Sequence, residues 1–246
     1  MPKRIRIIFA HDKSVFGKEE QGLFRRIDPY VDMYKIGLEA IYAEDIATGK
    51  SIARLKREFV QEVLEKDVFL DAKLTDIGTT VHGAARNIVT LGVKMFTVHA
   101  SISDNGLSLV AEVCAGSDTM PLAVTVLSDL DDIECKSRFG EVPGPTALRF
   151  AENAKTLGFR GLVSAPKELP FLKSEGILEG MTTVAAGVRS KGIGSDDQKR
   201  PMTPAEAALA GADYVVVGRE IVLAKDPVRE AARIRAELDA AVHAVA

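Results

Sequence analysis

The 246-residue chain contains no tryptophan, only two cysteines and only four histidines. Cys114 and Cys135 form no CxxC pair, so a disulfide framework is not expected and a reducing, cytoplasmic setting is the default reading. His11, His82, His99 and His243 show no HxH or HExxH spacing, so no metal site is expected. No apolar run approaches the ~20 residues of a membrane-spanning helix. The opening "MPKRIRIIFAHDKS" lacks the long apolar region and small-residue cleavage site of a signal peptide, so neither membrane association nor export is expected. Basic blocks are missing too, and with a net charge of -3 nothing marks a nucleic-acid surface.

What is present is the balance of an ordinary soluble globular protein, 46% apolar and 27% charged. Eight strand-like runs recur: "IRIIFA" (5–10), "VDMYKIG" (31–37), "VFLDAK" (68–73), "MFTVHA" (95–100), "LAVTVL" (122–127), "GLVSA" (161–165), "TTVAAG" (182–187) and "YVVVG" (214–218). Several are continuously apolar, as expected of parallel strands covered on both faces. Helical patterns separate them. "TTVHGAARNIVTLG" places Val81, Ala84, Ala85, Ile88 and Leu91 at helical spacing, and "TALRFAENAKTLG" repeats the pattern. "TPAEAALAGA" opens on a capping box, Thr203 with Glu206, and has Pro204 at the first helical position. "DPVREAARIRAELDAAVHAV" reads as a long amphipathic helix.

This alternation predicts a single (β/α)8 TIM barrel over residues 1–246. The rival, an open doubly wound sheet, loses its commonest form because no GxGxxG follows the first strand.

In such a barrel the chemistry sits at the C-terminal ends of the strands. There the sequence places His11 and Asp12, Lys35, Asp71 and Lys73, His99, Ser128, Gly187 and Arg189, and Gly218 and Arg219. Within "FLDAKLTDIGTTV", Asp71 and Lys73 are two apart and share a strand face, and Asp76 follows where the chain turns. With Lys35 these make two lysines and two aspartates. The bland reading is an ion-pair network closing the barrel top. Buried pairs stabilise poorly against apolar residues of equal volume, however, and interacting charges in a cleft mark acid-base work. "AGVR" and "VVVGRE" each set a glycine beside an arginine at consecutive strand ends, a pattern suited to phosphate, with Gln198 in the intervening loop as a lid.

On these residues the chain resembles the orotidine 5'-phosphate decarboxylase family. The family's DxKxxDIxxT motif stands in full as Asp71, Lys73, Asp76, Ile77 and Thr80, and the match runs in order through nearly the whole chain. "FAHD" is similar to the segment ending in a ribose-contacting aspartate, here Asp12, and "VDMYKIGLE" supplies Lys35. "AVTVLSD" resembles the segment whose hydroxyl contacts the pyrimidine, here Ser128. "AGVR", "DDQKR" and "VVGRE" resemble the phosphate grip, giving Arg189, Gln198, Gly218 and Arg219. His11 stands where the family usually has leucine, and Ala186 where it commonly has proline.

The resemblance implies decarboxylation of orotidine 5'-monophosphate to uridine 5'-monophosphate, the last step of de novo pyrimidine nucleotide synthesis, without metal or organic cofactor. It makes Lys73 the proton donor and places Asp71 near the departing carboxylate, with Lys35 and Asp76 holding the charges. It also implies a homodimer in which Asp76, Ile77 and Thr80 reach the partner's site. Two other readings stand beside it. A Mg2+-dependent sugar-phosphate barrel, such as a keto-gulonate-phosphate decarboxylase or hexulose-phosphate synthase, carries a metal-binding glutamate where this chain has Lys35. A non-catalytic nucleotide-binding barrel would be expected to have lost charged site residues, and none is missing.

Overall fold

The computed structural model describes residues 4–190 and 202–243. Its eight parallel strands are β1 (Arg6–Ala10), β2 (Met33–Gly37), β3 (Asp67–Leu74), β4 (Met95–His99), β5 (Met120–Val124), β6 (Gly161–Ser164), β7 (Thr182–Ala186) and β8 (Tyr214–Val217). Each pairs with its neighbours in sequence, and β1 closes the ring on β8 with Arg6 opposite Tyr214 and Phe9 opposite Val217. Helices follow the strands, so the fold is the expected (β/α)8 barrel.

The period-two alternation of a strand explains the continuous apolar runs. Ile8, Met33, Phe69, Met95, Leu122, Val184 and Tyr214 point inward and fill the barrel. Ile7, Phe9, Tyr34, Val68, Phe96 and Val215 point outward and pack under the helices. Moving two residues toward the C-terminal rim, the inward positions become Lys35, Asp71 and Thr97. The same alternation that fills the bottom of the barrel thus aims polar groups into its top.

Helix starts follow the local chemistry. Ser51 and Ser103 cap Ile52–Glu62 and Asp104–Cys114 by accepting from Arg54 N and Gly106 N. The expected capping box forms at Thr203, whose Oγ1 accepts from Glu206 N at 3.1 Å while Glu206 Oε2 accepts from Thr203 N at 2.9 Å. The last helix, Pro227–His243, is pinned to the base of the barrel by Arg235, which donates to Ile5 O at 2.8 Å and pairs with Asp32 at 3.2 Å. Among the described residues no helix is long and apolar enough to cross a membrane.

Two features depart from the expectation. The fifth strand ends at Val124 instead of 127, and Val126 beyond it packs with Leu130 and Cys135. A short hairpin, Glu44–Asp45 with Lys50–Ser51, lies between β2 and the following helix; strands of two residues carry no periodicity to read.

His11 is 1% exposed, and neither ring nitrogen has a hydrogen-bond partner. Its ring meets Phe24 edge-on at 5.3 Å and lies 6.1 Å from Phe9. Burial first, then the positive charges of Lys56 and Lys13, push its pKa down from 6.5 to about 4, against weaker opposition from Glu20 and Asp12. The unfolded chain therefore binds more protons than the native one between those two values. Native stability is intact above pH 6.5 and falls as the pH drops toward 4, by up to ~3 kcal/mol. His11→Leu removes this component, so urea denaturation at pH 7 and pH 4.5 will show a smaller acid loss in the variant. Equal losses in both proteins would show that His11 is not held neutral.

Candidate active site

Four charged side chains meet at the C-terminal rim of β1, β2 and β3. Lys35 Nζ lies 2.8 Å from Asp12 Oδ1 and 3.3 Å from Asp71 Oδ2, and Lys73 Nζ lies 2.7 Å from the same Asp71 oxygen. The order is acid, base, acid, base, so each interior member has an opposite charge on both sides. Burial alone would push Asp71 upward, but Lys35, Lys73 and Thr97 outweigh it and hold the carboxyl below its ordinary value. Burial likewise opposes the charge on Lys35, yet Asp71 and Asp12 raise its pKa. Two buried groups thus stay ionised because they are paired.

Backbone geometry makes the meeting possible. A methyl group at Gly37 would sit 2.5 Å from Asp12 Oδ1 and 2.8 Å from Lys35 Nζ, so a larger residue there would shift the ends of that pair. Lys73 has a φ of 45°, a left-handed conformation that strains a non-glycine residue by ~1–3 kcal/mol. The β3–β4 register shifts between Leu70 and Leu74, as a bulge does when it re-aims a side chain. Thr97 repairs the break: its Oγ1 accepts from Lys73 N at 2.8 Å and donates to Asp71 Oδ1 at 2.9 Å.

A cavity of about 200 Å³ opens above this set, lined by Lys35, Asp71, Lys73, Ser128, Ala186 and Gly187 among others. Of the three network members that line it, Lys73, 32% exposed, is the most open. The anion-binding candidates sit on the adjoining rim. Arg189 is buried and donates to Val188 O at 2.8 Å; Arg219 begins the short helix Arg219–Val222 and is exposed. Gly218 passes so close to β1 that an added Cβ would lie 3.0 Å from Ala10 O. Gln198 lies outside the described residues.

The structure brings Asp12, Lys35, Asp71 and Lys73 together and places Ser128 on the same cavity. It does not bring Asp76 to them. That carboxylate is exposed and accepts from Ile77 N at 2.7 Å, so Asp12 fills the second acidic place within the chain. Ile77, 69% exposed, and Thr80 also face outward. His99 bonds Ser101 Oγ through Nδ1 at 2.8 Å, and burial followed by Lys73 lowers its pKa. Among the described residues no group of three or more His, Cys, Asp or Glu is placed to hold a metal ion.

Sequence reasoning missed Thr97 and Glu220. Thr97 has a readable signal, a polar residue at an inward position of an apolar strand. Glu220 has none. It follows Arg219 and accepts from Ser190 N at 3.1 Å and from Arg233 at 2.9 Å, so it ties the loop after β7 to the loop after β8.

A closed parallel barrel with a charged cavity at its strand C-termini is the layout of barrel enzymes. The chain belongs to the orotidine 5'-phosphate decarboxylase / HUMPS family, whose model matches residues 17–234. It is 37% identical over 248 residues to an orotidine 5'-phosphate decarboxylase of Moorella thermoacetica, covering 97% of this chain and 94% of that protein. A namesake from Anaeromyxobacter dehalogenans is 38% identical over 236 residues, covering 95% of this chain and 98% of that protein. Among solved structures, the orotidine 5'-phosphate decarboxylase of Lactobacillus acidophilus superposes with a TM-score of 0.71 at 25% identity, covering 96% of this chain and 99% of that one.

Thr97→Val keeps the shape but leaves the Lys73 amide and an Asp71 oxygen each short of a partner. The substitution is expected to destabilise the fold by ~1–3 kcal/mol, read from urea denaturation midpoints. An unchanged midpoint would mean that water replaces the hydroxyl.

Proposed function

We propose that this chain decarboxylates orotidine 5'-monophosphate to uridine 5'-monophosphate, with Lys73 as the proton donor and no metal or organic cofactor. Membership of the family and the names of the curated relatives support the reaction. The observation that carries the mechanism is the Asp71–Lys73 contact at 2.7 Å beside Lys35 at 3.3 Å, at the floor of the rim cavity.

The substrate's carboxylate enters next to Asp71, and its pyrimidine lies toward Ser128 and Ala186. The bond between the ring carbon and the carboxylate breaks, carbon dioxide departs, and the electron pair stays on that carbon. The Lys73 ammonium stabilises the new charge and transfers its proton to the carbon, forming the C–H bond of the product; solvent then reprotonates the amine. The fixed order of charges spares the site from reorganising as the negative charge develops. Arg189, Gln198, Gly218 and Arg219 grip the phosphate, whose binding energy helps assemble the site. Asp12 takes the ribose.

We also read residues 1–246 as one domain and the protein as a cytoplasmic homodimer, placing Asp76, Ile77 and Thr80 in the partner's site. The outward position of these three residues suits that assembly. No membrane or nucleic-acid partner enters this reading. The HUMPS side of the family offers the second reading, a sugar-phosphate enzyme using Mg2+. Lys35 argues against it, because its ammonium occupies the space between Asp12 and Asp71 where a cation would be held.

The test is loss of orotidine 5'-monophosphate absorbance in excess EDTA, for the wild type and Lys73→Ala. The wild type is expected to turn over at an unchanged rate, and the variant to fall by ~10²–10⁴-fold or more. Activity abolished by EDTA, or retained by the variant, would overturn the reading.

A further inference from the structure

Lys56 is the one buried lysine of helix Ile52–Glu62, 1% exposed. Its Nζ donates to His11 O at 2.7 Å and to Lys13 O at 2.6 Å. Those carbonyls stand on either side of Asp12, whose carboxylate meets Lys35 at 2.8 Å. We propose that Lys56 is a positioning residue for Asp12: it clamps the backbone on both sides of that aspartate and so sets the outer end of the charge network. The functional part of this inference rests on the decarboxylase reading above.

Three observations favour a clamp over a packing role. Methionine has similar length and fills such a space without desolvating an ammonium, so a buried lysine calls for a polar task. The task is visible in the two carbonyls, which belong to a loop and are offered no strand or helix partner by Lys56's own element. The surroundings also disfavour the charge: burial comes first, Lys35 adds like-charge repulsion, and Asp12, Glu39 and Glu20 compensate only in part, so the pKa falls from 10.5 to about 8. His11, which contributes one of the carbonyls, fills the space beside the clamp as a neutral ring. Glu39 Oε1 accepts from Ser14 N at 3.0 Å and holds the far end of the same loop.

The test compares wild type, Lys56→Met, Asp12→Asn and the double variant in steady-state decarboxylation, with hydrogen exchange of the peptide spanning residues 9–16. Lys56→Met is expected to lower kcat/KM about tenfold, mainly through KM, and to speed exchange in that peptide about tenfold. In the Asp12→Asn background it should add no further loss, because a residue that acts through another is non-additive with it. Losses that multiply, or unchanged exchange in residues 9–16, would overturn the proposal. Should Lys56→Met not fold, Lys56→Gln, whose shorter side chain draws its N–H donors back from the two carbonyls, carries the same readouts. If the wild type fails to decarboxylate, the functional reading falls, and the exchange measurement alone decides whether Lys56 holds the Asp12 backbone.

Discussion

The site depends on one shared oxygen. Asp71 Oδ2 stands 2.7 Å from Lys73 and 3.3 Å from Lys35, and burial works against the charge on both Asp71 and Lys35, which stay ionised because they are paired. Removing either lysine would leave a buried carboxylate with an unmet desolvation penalty. Much of the local architecture serves that contact: the bulge in β3, the left-handed Lys73 and the hydroxyl of Thr97. A barrel seeking stability alone would fill these positions with apolar side chains.

At the rim the backbone strain falls on Lys73; the other described non-glycine residue with positive φ, Glu65, precedes β3 at the opposite end of the barrel. Toward the base the inward positions of the strands are apolar and regular, and beyond the rim the loops carry the residues proposed to bind an anion. Glu220 and Lys56 do the same kind of work at opposite sides of the rim. Each is a buried charged group bonded to loop backbone near a proposed ligand contact, Glu220 at Ser190 and Lys56 at His11 and Lys13. The rim loops are therefore fixed to the scaffold by side chains that never enter the cavity.

Much of the fold was legible because two physical signals agree. Parallel strands covered on both faces are continuously apolar, and the helices between them have caps and turn residues where the pattern predicts, as at Thr203 and Glu206. The hairpin at Glu44–Ser51 was not legible, having too few residues for any period. In the site, Asp71, Lys73 and Lys35 could be placed together because strand alternation fixes which face each side chain takes. The fourth member could not. Asp12 and Asp76 both follow strand ends, and the loop path that sends one inward and the other outward depends on tertiary packing. Lys56 was missed although its signal was readable: it is the single lysine of its helix and shares the apolar face with Ile52, Phe59 and Val60 at helical spacing.

The most direct measurement of the central claim is the titration of Asp71 in the ligand-free protein, followed by carbon-13 NMR of its carboxyl group. If the two lysines hold the carboxylate charged, no protonation step occurs at or above the ordinary aspartate value of 3.8. A step above that value would mean that burial outweighs the lysines and that the site is not charged before substrate arrives.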